Sequence, residues 1–231
     1  MAQTVLIVDD EEEIAELLEV YLSNSGYRIL KCGDGETALQ LVENETVDLM
    51  LLDVMLPDID GFTLCKQLRK SYYFPIIMLT ARVADEDKIK GMVLGGDDYI
   101  TKPFNPLEVT ARVQAQLRRA GDYNKNENQR KDNVYDIQGL VVESDAHRCT
   151  LYGREITLTP TEFGVLEYLC KHRGEVVSTE ELFEAVWKEK FYDSNNTVMA
   201  HIARLREKLQ ENARKPKFIK TVWGVGYKVD A

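Results

Sequence analysis

The chain has 231 residues, room for two modest domains or one large one, and its 44% hydrophobic and 29% charged residues are ordinary for a soluble globular protein. No apolar stretch nears the ~20 residues of a membrane span; the opening MAQTVLIVDD lacks a basic region, which argues against a signal peptide; and the four scattered cysteines, without CxxC spacing, read as reduced thiols in a cytosolic protein rather than disulfides or zinc ligands. The net charge of -10 is uneven: residues 1–121 hold 12 basic and 21 acidic groups, residues 122–231 hold 17 and 18, and residues 201–231 hold 8 and 3, which points to two domains with different partners.

In chain order, TVLIVD (4–9) is a short apolar run, followed by helical spacing of Ile14, Leu17, Leu18, Tyr21 and Leu22. YRILK (27–31) is strand-like and Thr37 to Val42 helical. VDLMLL (47–52) is a buried strand and Phe62 to Leu68 a helix. PIIML (75–79) is a strand before a helix at Asp85–Leu94, and DYIT (98–101) a strand before a last helix from Leu107 to Leu117. This is a β-strand and a helix five times over. Strands that are apolar throughout fit a parallel sheet covered on both faces. GDYNKNENQRKDN (121–133) has one aromatic and no periodicity and reads as a flexible linker. Short strand-like pieces over 134–158 follow. Then comes a helix with Thr159 as N-cap, Pro160 in its first turn and Glu162 closing a capping box. A second helix follows Ser178, a third runs from about Asn195 to Gln210, and FIKTVWGVGYKV (218–229) makes two strands around a Gly turn.

In an open parallel sheet, ligands sit at the carboxyl ends of the strands. Here the first strand ends on Asp9 and Asp10, the third on Asp53, the fourth on Thr80, and the fifth on Thr101 and Lys102. If strands one and three are neighbours, three carboxylates converge, and they stay ionised together only with a cation among them. Oxygen ligands of this kind suit Mg²⁺. A hydroxyl and an ammonium beside them make a place for a phosphoryl group. Asp also ends strands simply because it starts turns, but five such groups at carboxyl ends argue for a site. Two alternatives fit less well. Gly33, Gly35 and Ala38 spell G-x-G-x-x-A, a dinucleotide fingerprint, but after the second strand rather than the first, leaving Asp9, Asp10 and Lys102 without work. A phosphatase with an aspartyl nucleophile of the haloacid dehalogenase type carries a second Asp two residues on, where Met55 stands.

On the third helix of the second half, Val198, Ile202, Leu205 and Leu209 form an inward stripe. Thr197, His201, Arg204 and Lys208 form a second row, with Arg206 nearby, which offers polar and cationic groups to a major groove. Lys215, Lys217 and Lys220 add cations for phosphate neutralisation. Amphipathic helices carry such groups without binding DNA, so this row alone is a weak sign. His147, His172 and His201 do not cluster as a metal site would.

VLIVDDE, LLDVMLPDIDG, PIIMLTAR and DDYITKPFNPLE resemble the receiver domain of bacterial two-component response regulators. LTPTEFGVLEYL, NTVMAHIARLREKL and IKTVWGVGYKV resemble the winged-helix effector domain of the OmpR/PhoB subfamily. Within it, TKPFNPLEVTARVQAQLRR and VWGVGYK are similar to the VanR type. The resemblance implies a receiver over 1–120 with a flavodoxin-like, doubly wound parallel sheet in order 2-1-3-4-5, a linker over 121–133, and an α+β winged-helix domain over 134–231. It implies that Asp53 accepts a phosphoryl group from a sensor histidine kinase. Mg²⁺ would be held by Asp10, Asp53 and the carbonyl of Met55, and by Asp9 through water. Lys102, before a cis Pro103, and Thr80 would meet the phosphoryl oxygens, with Tyr99 turning inward behind them. It further implies a homodimer through the face of the fourth helix, fifth strand and fifth helix (Lys88, Asp97, Asp98, Glu108, Arg112, Arg119). Promoter DNA would contact the third helix and, in the hairpin, Lys220, Thr221 and Trp223, and RNA polymerase would be a partner. Ala203 and Trp223 depart from the pattern, since both positions often carry Arg.

Overall fold

The computed structural model describes residues 2–81, 95–122, 134–188, 191, 195–212 and 215–230. The helix expected at Asp85–Leu94, Lys88 and nearly all of the expected linker lie outside them. The chain divides into two compact units, Met1–Arg118 and Arg119–Ala231.

The first unit runs β1 (Thr4–Val8), α1 (Glu12–Asn24), β2 (Arg28–Cys32), α2 (Gly35–Asn44), β3 (Leu49–Asp53), α3 (Gly61–Leu68), β4 (Ile76–Thr80), β5 (Asp98–Thr101) and most of α4 (Pro106–Asp122), whose last four residues lie past the boundary at Arg118. The five strands form one parallel sheet in order β2-β1-β3-β4-β5. β1, β3 and β4 are buried at every residue, as expected of strands covered on both faces. β2 is the edge strand and leaves Arg28 and Lys31 exposed. On α1 the buried residues are Ala15, Leu18 and Leu22, while Leu17 and Tyr21 lie at the surface. The helical period is as read from the sequence, but the buried stripe is narrower.

Gly61 shows why the strand-to-helix turn after β3 is tight. A Cβ there would lie 2.1 Å from the Asp53 carbonyl oxygen. The Gly61 N–H donates to the Val54 carbonyl at 2.9 Å. The start of α3 is thus pressed against the backbone that carries Asp53. Asp58, in the same loop, reaches to α2: its carboxylate accepts from the N–H groups of Gly35 and Glu36, both at 2.9 Å. The helix N-terminus that a pyrophosphate would need in the dinucleotide alternative is therefore taken by a side chain of the chain itself.

The second unit has a four-stranded antiparallel sheet of β6 (Val134–Ile137), β7 (Leu140–Glu143), β8 (Arg148–Leu151) and β9 (Arg154–Glu155). Helices α5 (Pro160–Lys171), α6 (Thr179–Trp187) and α7 (Asn195–Lys208) accompany a second sheet, β10 (Val177–Ser178), β12 (Gly226–Val229) and β11 (Ile219–Val222) in that order. The Thr159 hydroxyl accepts from the Glu162 N–H at 3.3 Å, and the Glu162 carboxylate accepts from the Thr159 N–H at 2.8 Å, completing the capping box. The Ser178 hydroxyl accepts from the Glu181 N–H at 3.0 Å and so caps α6. Leu166, Leu169, Leu182, Trp187, Val198 and Leu205 lie at the centre of the core. The β11–β12 hairpin, with its tip at Trp223 to Val225, is the wing of a winged helix.

Candidate acidic centre and nucleic-acid face

Parallel pairing brings the ends of β1 and β3 side by side, with Val8 opposite Leu52. Asp9 and Asp53 are both buried, and with the exposed Asp10 they offer carboxylate oxygens within 4.8 Å of one another. Lys102, following β5, sends its Nζ into this cluster: 2.8 Å from Asp53 Oδ2, 2.9 Å from Asp9 Oδ2 and 2.9 Å from Glu11 Oε1. Its backbone N–H donates to the Thr80 carbonyl at 2.6 Å, which ties it to the end of β4, and its peptide bond to Pro103 is cis. Thr80 is fully buried and Tyr99 nearly so. Met55, exposed at the rim, donates its N–H to Asp53 Oδ1 at 3.2 Å.

The electrostatics follow from burial opposed by pairing. Burial pushes the Asp9 carboxyl above its ordinary range, while Lys102 and the Glu11 N–H restrain the rise. Burial pulls the Lys102 ammonium down, but hydrogen bonds to Asp53, Asp9 and Glu11 outweigh it and hold the group well above its usual value. The ammonium is therefore a fixed positive charge that stands among the carboxylates where a metal cation would also be attracted. Three carboxylates with hard oxygen donors at one point fit a divalent ion such as Mg²⁺. Glu11 is a member of the cluster that reasoning from the sequence missed. Its place directly after Asp9 and Asp10 was the available signal.

The charged residues expected on the dimer face divide. Asp97 is fully buried: it accepts from Arg69 at 2.6 Å and from the Ile76 N–H at 3.0 Å. This corrects its expected place on the surface, because Arg69 and the backbone of β4 hold the carboxylate inside; Asp98 beside it is only 4% exposed. Asp98 is paired with Arg112 at 3.1 Å, and Arg112 with Glu108 at 3.1 Å, within one receiver. Lys88 and the side chain of Arg119 lie outside the described residues.

On α7 the stripe of Val198, Ile202, Leu205 and Leu209 is buried as read from the sequence. The second row is not on the solvent side, however. Thr197 is 6% exposed, His201 0% and Arg204 7%, so these three correct the expectation that they line the nucleic-acid face. His201 lies against Trp187 at 5.2 Å between ring centroids, and Arg204 Nη2 lies 2.8 Å from the His201 ring. Lys208 pairs with the buried Glu162 at 2.6 Å, and Arg204 Nη1 is 3.8 Å from the same carboxylate. Packing against both α5 and α6 widens the buried arc of α7 to take in both rows, and Glu162 supplies the buried charge that makes this tolerable. Among the described side chains, the exposed arc holds Met199, Ala203 and Glu207, with Arg206 at its edge. Arg206 donates to the Ile219 carbonyl at 2.6 Å and to Thr221 Oγ1 at 2.8 Å, joining α7 to the hairpin. Lys220 and Lys228 pair with Asp230, and Trp223 at the tip is 90% exposed. Between α7 and the hairpin lies an open groove of about 470 Å³, lined by Met199, Thr221, Trp223, Val225 and Tyr227 among others.

A five-stranded receiver sheet ending in an acid cluster with a lysine, joined to a winged helix, defines the class of two-component response regulators. The response regulator receiver domain family matches residues 5–114, and the C-terminal domain of transcriptional regulatory proteins matches residues 153–229. Regulatory protein VanRc of Enterococcus gallinarum is 56% identical over 230 residues, and VanR of Enterococcus faecium is 47% identical over 231, each covering the whole of both chains. Among solved structures, the OmpR/PhoB homologue DrrB of Thermotoga maritima is 32% identical with a TM-score of 0.53 over the whole of both chains. A RitR mutant, 26% identical, reaches a TM-score of 0.76 over 99% of each chain. The chain belongs to the OmpR/PhoB family of response regulators: it is a DNA-binding transcription regulator governed by a receiver domain.

Proposed function

We propose that Asp53 is the phosphoryl acceptor. One of its oxygens attacks the phosphorus of a phosphohistidine on a sensor kinase: the N–P bond breaks, an O–P bond forms, and the product is an acyl phosphate. Lys102 meets the phosphoryl oxygens with its ammonium, and the Thr80 hydroxyl donates to another of them. Asp9, Asp10, Asp53 and the Met55 carbonyl would hold Mg²⁺, which when bound supplies positive charge to the phosphoryl oxygens. The same groups assist loss of the phosphoryl group to water. Phosphorylation adds about −1.5 to −2 charge, and Thr80 and Tyr99 transmit it towards the face that carries Asp98, Glu108 and Arg112. There two receivers pair, with Lys88 and Arg119 completing the contact, at the expense of the Asp98–Arg112 pair within each.

We place the receiver at 1–120, the linker at 121–133 and the effector domain at 134–231, in a cytoplasmic protein. The α7 helix enters the major groove, and Arg206, Lys220, Thr221 and Trp223 meet the flanking backbone; RNA polymerase is the downstream partner. A two-fold receiver dimer reads head-to-tail half-sites if the linker lets each effector domain turn, and a flexible coil of 13 residues reaches roughly 20 Å.

The observation that carries the receiver half of this reading is the Lys102 ammonium bridging Asp9 and Asp53 at the ends of neighbouring strands. The test is incubation with acetyl phosphate and Mg²⁺, followed by intact-mass measurement. One phosphoryl group, labile to hydroxylamine and lost in Asp53→Asn, is expected. Equal incorporation in that variant would overturn the assignment.

A further inference from the structure

Among the described side chains, the solvent side of α7 up to Arg204 presents almost no hydrogen-bonding chemistry. From Thr197 to Arg204 it exposes Met199 and Ala203, and Arg204, the first cation along the helix, is turned into the core. Met199 is 54% exposed and lines the groove that continues to Trp223 and Val225 on the hairpin, themselves 90% and 53% exposed. Residues 201–231 nevertheless hold 8 basic and 3 acidic groups, which suits a polyanion. A recognition helix reads bases with its N-terminal residues. Arg and Lys read guanine and Asn or Gln read adenine by hydrogen bonds, whereas an apolar side chain has one distinctive partner in the major groove, the C5-methyl of thymine.

We infer that Met199 and Ala203 determine specificity by contacting thymine methyl groups, so that the half-site is fixed at these positions by shape and hydrophobic burial rather than by hydrogen bonds. This rests on the proposed entry of α7 into the major groove. Four residues of helix advance ~6 Å, close to two base steps of ~3.4 Å. The two methyls therefore lie about two steps apart in each half-site. Glu207, one turn beyond, stands in the last turn of α7, past the N-terminal part that reads bases. Burying one methyl group is worth ~0.8 kcal/mol, or about fourfold in affinity.

The test uses the full chain treated with acetyl phosphate and Mg²⁺. A site is first enriched from a random duplex library. Each thymine in it is then replaced singly by deoxyuridine, which removes only the methyl group. Two positions per half-site, about two steps apart, should each lose about fourfold in affinity and the other thymines nothing. In Met199→Gln, deoxyuridine at one of the two positions should cost nothing further, the coupling expected of a direct contact. Ala203→Arg should shift the enriched base at the other towards guanine. Both substitutions are on the surface and leave the fold intact. If deoxyuridine is tolerated everywhere while Ala203→Arg still changes the enriched sequence, methyl recognition is wrong and α7 in the groove stands. If neither variant alters the enriched sequence, α7 does not read bases, and the inference fails with that reading.

Discussion

Removing the lysine from the acidic cluster should make the receiver depend on a divalent cation for its stability. In Lys102→Met the alkyl stem remains but the ammonium goes. Lys102 is 11% exposed and its Nζ lies within 2.9 Å of carboxylate oxygens of Asp9, Glu11 and Asp53, of which Asp9 and Asp53 are almost wholly buried. Taking one partner from a buried pair leaves uncompensated charge and costs about 3–5 kcal/mol. Glu11 is largely in water and adds little to that figure. Without metal, the receiver transition in calorimetry should fall accordingly. The effector-domain transition should not move: both tryptophans, Trp187 and Trp223, sit in that unit, so their fluorescence reports it separately. Mg²⁺ at 100 times its dissociation constant for the variant should return ~2.7 kcal/mol to the folded receiver, more than the same concentration returns to the wild type, where Lys102 competes for the same oxygens. A metal-free variant receiver melting within ~1 kcal/mol of the wild type would refute the idea that Lys102 is what keeps these carboxylates together.

Gly61→Ala should destabilise the receiver by about 2 kcal/mol or more and slow phosphorylation by acetyl phosphate, because its Cβ would press on the Asp53 carbonyl at 2.1 Å; equal melting and equal rates would show that the turn relaxes freely. Thr159→Ala removes the capping hydroxyl of α5 and should cost the effector domain about 1–2 kcal/mol, measured by urea unfolding through the fluorescence of the buried Trp187. Burial beside Phe163 pushes the His147 imidazole down to about 4. Its folded value lies below its unfolded one of ~6.5, so the stability it contributes is present above pH 6.5 and is lost as pH falls towards 4. The full gap is worth ~3 kcal/mol, and about half that for a ring partly in water. His147→Phe should flatten the stability profile of the effector domain across this window, and an unchanged slope would count against the burial argument.

Much of the receiver was legible because each strand carries its own evidence. An all-apolar run followed by an acid, a hydroxyl or a lysine fixes both the strand and what stands at its carboxyl end, and parallel pairing does the rest. Asp9 and Asp53 meet simply because β1 and β3 are neighbours. The capping box at Thr159 was legible for a similar reason, since all its parts lie within four residues. What the sequence did not show depended on partners distant along the chain. Nothing near Asp97 announces Arg69, 28 residues away, which holds it inside the sheet. Nothing near Gly35 announces that Asp58 will cover the start of α2.

α7 shows the same limit in the place where it bears most on function. Val198, Ile202, Leu205 and Leu209 give the direction of the core, and the adjoining polar row reads as the solvent side. That inference assumes a helix resting on one neighbour, where an apolar stripe about 100° wide suffices. α7 is instead packed against α5 and α6 together, so its buried arc is wider than the apolar residues alone can fill. The remainder is filled by Thr197, His201 and Arg204, with Trp187 and Glu162 as their counterparts on those helices. A carboxylate at the third position of α5 serves as both the capping group of that helix and the buried counter-charge for Lys208. Once those groups are assigned inward, the face left for a nucleic acid is decided by subtraction. Among the described side chains it is small and apolar from Thr197 to Arg204, with its cations on the hairpin side. Affinity for the phosphate backbone and discrimination between bases are then carried by different residues of the same domain: cations supply attraction that any sequence satisfies, and Met199 and Ala203 supply a preference that only particular bases meet.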